Sequence, residues 1–176
     1  MTSRRRLFFA LEPPDAVRNE IWLVQKSLAA GGRAVLPEQF HVTLAFLGMQ
    51  PADVIPTLQS MASKLMMGQC TITLDRVGRF PRAGVLWLGA SSMPVALQAF
   101  HDSLIEGLEQ AGIDRDRKPW EFHLTLYRRL RKPPPIMPIE PVVWSLDGFS
   151  LIESVSVKSG VEYRRHGHWM AASSVN

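Results

Sequence analysis

Two short runs carry the residue types that can do chemistry in this chain. They are Phe40-His41-Val42-Thr43-Leu44-Ala45-Phe46 and Phe122-His123-Leu124-Thr125-Leu126-Tyr127. Each is a His-x-Thr set in an apolar stretch. A β-strand sends alternate side chains to opposite faces, so His41 and Thr43 share one face, with Phe40, Val42, Leu44 and Phe46 behind them. His123 and Thr125 share a face in the same way. Two imidazoles that titrate near neutrality can hold different protonation states at once, one ring taking a proton while the other gives one. Two hydroxyls at a fixed offset supply neutral donors for non-bridging phosphoryl oxygens. Neither run offers a nucleophile with its own base, and no carboxylate cluster suited to magnesium accompanies them. The fitting chemistry is metal-free cleavage of a phosphodiester, with water attacking in line with the leaving oxygen. One histidine in an apolar strand is more often a satisfied core residue, and threonine is an ordinary strand residue. Two copies with the same phasing argue for function.

The elements that must position these runs follow from the apolar pattern. Arg6 to Leu11 reads as a buried strand stopped by Pro13-Pro14, and Asp15 to Leu28 as a helix with Val17, Ile21, Val24 and Leu28 on one face, halted by Gly31-Gly32. The first His-x-Thr strand closes at Gly48. A second helix from about Asp53 to Gly68 aligns Val54, Leu58, Met61 and Leu65, with Pro56 in its first turn. Cys70 to Val77 and Val85 to Ala90 read as strands. A third helix, from Ser92 to Gly112, shows Leu97, Phe100, Leu104 and Leu108. The second His-x-Thr strand breaks at Pro133-Pro134-Pro135. Val142 to Met170 makes two or three strands, with turns at Asp147-Gly148 and Ser159-Gly160. The class is α/β (α+β): two pseudo-symmetric lobes, each a largely antiparallel sheet with helices on its outer face, around a central cleft. Residues 1–176 are expected to form one bilobal domain.

A chain with 46% hydrophobic and 20% charged residues is neither disordered nor a coiled coil. The single cysteine, Cys70, excludes an internal disulfide and a cysteine-built zinc site. Arg4-Arg5-Arg6 precedes an apolar run too short for a signal peptide, and no stretch approaches a membrane span. A soluble, cytoplasmic protein without membrane partners is expected. The net charge of +4 favours polyanions. Between Asp114 and Lys132 seven bases face three acids, so the excess brackets the second His-x-Thr.

Arg128 is the natural phosphate counter-charge, because a guanidinium donates two parallel bonds. Strict alternation puts it on the face opposite His123, so it reaches the cleft only if the strand ends or bulges near Tyr127. Phe8 shares a face with Arg6 and Ala10 and is a candidate for stacking on a base, or a core residue. Trp87 reads as core and His101 as structural. His166-Gly167-His168 has a metal-like spacing but no further ligand nearby, which makes these solvent-exposed histidines.

The chain resembles the two-histidine phosphoesterases, and within them the RNA 2′,3′-cyclic phosphodiesterases, also called 2′-5′ RNA ligases. His41-Val42-Thr43-Leu44-Ala45-Phe46-Leu47-Gly48 is similar to that family's first motif throughout, and His123-Leu124-Thr125-Leu126-Tyr127-Arg128 to its second. Phe122 stands where the family usually has proline. Arg6 to Pro14, Val85 to Gly89, and Leu151 to Ser154 with Gly160, Tyr163 and Trp169 extend the likeness over nearly the whole chain. The resemblance implies hydrolysis of 2′,3′-cyclic phosphates to 2′-phosphates without cofactor or metal. His41 would protonate the leaving 3′ oxygen, His123 would activate water, and Thr43 and Thr125 would grip the phosphate. The implied partners are RNA ends or nucleotides carrying a 2′,3′-cyclic phosphate, met by a monomer. Ligation in the reverse direction and a non-catalytic nucleotide-binding or RNA-binding module remain as alternatives.

Overall fold

In the computed structural model, which describes residues 3–132 and 134–173, helices and strands interleave along the chain. Strand β1 (Arg4–Leu11) leads to α1 (Asp15–Leu28), a short β2 (Arg33–Ala34) and β3 (Val42–Pro51). Then come α2 (Ile55–Ala62), β4 (Cys70–Leu74), β5 (Arg76–Phe80), β6 (Val85–Gly89) and α3 (Val95–Gln110). The chain closes with β7 (Leu124–Arg128), β8 (Val142–Leu146), β9 (Gly148–Val157) and β10 (Gly160–Met170). One sheet runs β10-β9-β1-β3-β7-β6-β5, with β2 also against β7, while β4 and β8 form a separate pair. Every pairing between these strands is antiparallel. This is the mixed α+β architecture that the apolar pattern predicts.

The large sheet is two half-sheets meeting at a narrow seam. β1 and β3 pair along their whole length, whereas β3 and β7 share one residue pair, Val42 with Leu124. Both side chains are fully buried. Beyond that point β7 turns to β2, and the halves diverge into a cleft. The helices cover the opposite face. On α1 the buried residues are Val17, Ile21, Val24, Gln25 and Leu28, and on α3 they are Leu97, Phe100, His101, Leu104 and Leu108. Truncating a fully covered residue such as Ile21 to alanine costs about 2–5 kcal/mol.

Several boundaries differ from the pattern-based reading. The first helix ends at Ala29, in a left-handed conformation (φ 42°), before Gly31 is reached. β3 does not close at Gly48; that glycine takes φ 68° and the strand pairs with β1 as far as Pro51. The second helix begins as a 3-10 turn over Ala52–Val54 and stops at Ala62. There the amides of Lys64 and Leu65 reach back only three residues, to Met61 and Ala62, tightening the last turn. The predicted strand from Cys70 to Val77 is broken at Asp75. Its carboxylate accepts bonds from the Ser91 amide (2.8 Å) and hydroxyl (2.6 Å), so β4 and β5 leave in different sheets. Of the proline break, Pro133 lies outside the described residues; β7 ends earlier, at Arg128.

Candidate active site

The seam fixes the relation between the two His-x-Thr runs. In an antiparallel pair centred on Val42 and Leu124, His41 falls across from Thr125 and Thr43 across from His123. Val42 and Leu124 point into the core, so the four flanking side chains point to the other face, into the cleft. Three adjoining cavities record the result. His41, Thr125 and Arg128 line one, His41, Thr43 and Arg128 line a second of about 370 Å³, and Thr43 and His123 line the third.

Each ring is held the same way. Nδ1 of His41 lies 2.8 Å from the Gln39 carbonyl and Nδ1 of His123 lies 2.7 Å from the Glu121 carbonyl, two residues upstream in both cases. A carbonyl only accepts, so each Nδ1 carries the hydrogen and donates it. Nε2 is left as the nitrogen that exchanges protons in the cleft. Each ring also has an aromatic edge-on to it: Tyr163 to His41 (5.2 Å, 88°) and Phe80 to His123 (5.0 Å, 86°). A second aromatic stands behind, Phe8 at 5.1 Å from His41 and Trp87 at 6.4 Å from His123.

A bulge follows each threonine. β1 pairs Phe9 with Ala45 and Ala10 with Thr43, skipping Leu44; β6 pairs Leu86 with Tyr127 and Trp87 with Thr125, skipping Leu126. The extra residue reverses the alternation beyond it. Arg128 therefore returns to the face of His123 and lines the cleft, with the reversal falling one residue before Tyr127. Its counterpart in the first run, Phe46, also lines the cleft, with Arg6 5.0 Å above its ring.

Helices brace both bulges. Nε2 of His101 on α3 donates to the Leu44 carbonyl (3.0 Å), and Nε2 of Gln25 on α1 donates to the Leu126 carbonyl (2.7 Å). Both side chains are buried, and these bonds compensate the donating nitrogens, while Nδ1 of His101 stands 3.8 Å from the Asp102 carboxylate without a hydrogen bond. His101 thus has the structural role expected of it. Trp120 stacks on it (3.9 Å, 6°) and donates Nε1 to the Thr43 carbonyl (2.9 Å).

Burial holds the His41 pKa below the ordinary histidine value. The Gln39 carbonyl opposes that shift, Arg128 deepens it, Glu12 counters it and His123 adds a little to it. Burial pushes the Tyr163 phenol upward, against the pull of Arg128 and Arg6, so it stays a neutral donor.

Phe8 does reach the cleft side, but at 4% exposure its ring is taken up by His41, Tyr163 and Ile152. Trp87 is buried as predicted, yet on the cleft face, where it backs His123. His168 is solvent-exposed as expected, His166 is half-buried, and both have partners. Nε2 of His166 meets Glu153 (2.7 Å) and Nδ1 of His168 meets Ser150 (2.8 Å). A bulge at His166 sends the two rings to opposite faces of β10, which rules out a shared ion. Among the described residues no group of three or more His, Cys, Asp or Glu side chains is arranged to hold a metal. Nor is any helix long and apolar enough to cross a membrane. Tyr163, Phe80, Arg6 and Glu12 escape sequence reasoning. For Glu12 the trace is its place one residue beyond Leu11, whose partner Val42 adjoins His41.

Cleft, duplicated rings and bulges define the class. A model of the 2′-5′ RNA ligase superfamily matches residues 13–158, and the chain belongs to that superfamily. An RNA 2′,3′-cyclic phosphodiesterase of Escherichia coli is 32% identical over 130 residues, 73% of this chain and 74% of the relative. One from Archaeoglobus fulgidus is also 32% identical, over 76% of this chain and 78% of its own length. The crystal structure of E. coli LigT complexed with 3′-AMP matches with a TM-score of 0.88 at 27% identity, covering 96% of this chain and 99% of that one.

Proposed function

We propose that this chain opens 2′,3′-cyclic phosphate ends of RNA to 2′-phosphates by general acid–base catalysis, with His41 and His123 as the proton-transfer pair. The observation that carries the proposal is the seam pairing, which sets one imidazole across from one hydroxyl twice over on a single cleft face. Thr43 and Thr125 donate to the non-bridging oxygens, and Arg128 offsets the charge that builds on them in the transition state. His123 Nε2 takes a proton from water as its oxygen bonds to phosphorus. The bond to the 3′ oxygen breaks, and His41 Nε2 delivers a proton to that oxygen. One ring ends protonated and the other neutral, and exchange with solvent resets both.

The depressed pKa of His41 leaves the empty site with a neutral ring there. The arriving phosphate anion favours the charged form, so substrate itself charges the acid. The terminal base rests against Tyr163, the half-buried ring that lines both cavities beside His41. Each half contributes one ring, so residues 1–176 work as one bilobal unit, and a monomer suffices. The family's activity under this name in three relatives, including one of Thermus thermophilus at 29% identity over 90% of this chain, supports the reading.

The test is incubation with a short RNA ending in 2′,3′-cyclic phosphate, in EDTA, followed by mass analysis of the terminus. A gain of one water and a 2′-phosphate product are expected. An unchanged terminus, or a 3′-phosphate, would sink the proposal. Ligation uses the same site in reverse, and the ratio of opened to joined ends measures it.

A further inference from the structure

Arg33 stands directly across from Arg128 in the β2–β7 pair. Opposed residues of an antiparallel pair project to the same face, and like charges there repel. Among the described residues neither guanidinium meets a carboxylate. Both line the cavity that holds His41 and Thr125, and no carboxylate lines it. Arg33 reaches toward the turn at Gly160, where an added Cβ would lie 3.1 Å from its Nη2. The cavity therefore continues from the reacting centre, past Arg128, to a second cation one strand further out. On the other side of the cleft, the cavity around His123 carries Asp102, Glu106, Glu109, Asp116 and Glu121 against Arg115, Arg117 and Lys118. A polyanion is favoured on the His41 side, and there the cavity that also holds Thr125 leads over Arg33.

Resting on the function proposed above, we infer that Arg33, with Arg128 beside it, forms a second phosphate site. It takes the phosphate on the 5′ oxygen of the terminal nucleotide, whether that group is an internucleotide linkage or a free 5′-phosphate. The preferred substrate then carries two phosphates one ribose apart, and a bare nucleoside cyclic phosphate fills half of the site. A guanidinium suits the role, since it donates two parallel bonds to phosphate oxygens and stays charged at any working pH.

Equilibrium binding tests this without relying on turnover. Titration calorimetry would compare adenosine 2′-phosphate with adenosine 2′,5′-bisphosphate. The bisphosphate is expected to bind about tenfold tighter at low salt, a gap that closes as ionic strength rises. In Arg33→Gln the advantage falls to about twofold, while Arg33→Lys keeps part of it and Lys64→Gln, remote on the chain's other face, keeps all of it. Equal affinities in the wild type, or an advantage that survives Arg33→Gln, would overturn the inference. The kcat/KM values of adenosine 2′,3′-cyclic phosphate, its 5′-phosphate and a dinucleotide with the same end separate the sources. Matching gains for the last two point to the phosphate; a gain for the dinucleotide alone points to its extra base and overturns the inference. No turnover of any of the three, with the binding gap intact, removes the proposed reaction and leaves the second site standing.

Discussion

Around His41 and around His123 the backbone does nearly the same thing. Each ring ties Nδ1 to a carbonyl two residues back, each has one aromatic edge-on, and each threonine is followed by a bulge braced from a helix. The side chains that fill equivalent places are unlike. Where the first run has Phe46, the second has Arg128; the His41 side is bounded by Arg6, Arg33 and Arg128, the His123 side by a carboxylate majority. The duplicated scaffold supplies two interchangeable positions for proton transfer. The surroundings then make one position cation-rich and dry, the other mixed in charge and wetter.

The largest effect expected from breaking this pair is the loss of either ring. His41→Ala and His123→Ala should each lower kcat about 10²–10⁴-fold. The double variant should fall little further, because the two act as a unit. Steady-state rates on the cyclic-phosphate RNA read this, and full activity in either single variant removes the acid–base pair. Next comes Arg128→Gln, with an expected loss of about 10–100-fold in kcat/KM, since a charge-assisted pair of hydrogen bonds to phosphate is gone. Phe46→Leu, at the matching place in the other run, should stay within about threefold. Equal losses at the two positions would mean that the asymmetry has no chemical content.

Smaller effects sharpen the comparison further. His101→Leu leaves the Leu44 carbonyl without its donor and removes the Trp120 stack, so it should cost about 1–3 kcal/mol in chemical denaturation. Gln25→Leu should cost a similar amount, because the Val35 amide still reaches the Leu126 carbonyl at 2.9 Å but the Val35 carbonyl loses the bond it accepts from Gln25. The smallest expected signal is in pH. His41 is needed protonated as the acid, and that form is lost as pH rises through its depressed pKa. The alkaline limb of kcat/KM should therefore lie below the ordinary histidine value. Removing the Arg128 charge raises the His41 pKa and moves that limb up; Glu12→Gln lowers it and moves the limb down. NMR titration of the ring gives the same two directions independently. A depressed group on the acid limb instead would exchange the roles of the two histidines.

Much of this was legible because alternation and helical spacing survive in a single sequence. The faces of His41, Thr43, His123 and Thr125 and the apolar stripe of α1 follow from periods of two and 3.6, and the hairpin turn at Gly160 from its Ser-Gly pair, whereas the expected turn at Asp147-Gly148 is the passage from the small sheet to the large one. What stayed hidden depends on a single residue out of step. The skipped residues Leu44 and Leu126 have no composition of their own, yet they decide that Phe46 and Arg128 face the cleft. The same holds at His166, where one extra residue divides a histidine pair that spacing would unite. Tyr163 and Phe80 arrive from strands far away in the chain, so nothing local announces them as neighbours of the rings.

One residue pair holds the halves edge to edge, and its side chains never meet the substrate. The backbone pairing at Val42 and Leu124 therefore sets the gauge between the two imidazoles, and the burial of these side chains keeps that pairing in place. A repacking beneath the seam that loosens this pairing acts on both rings at once, and a displacement of about 1 Å is enough to cost a reaction some hundredfold. Core volume and the reach of a proton are, at this seam, the same variable.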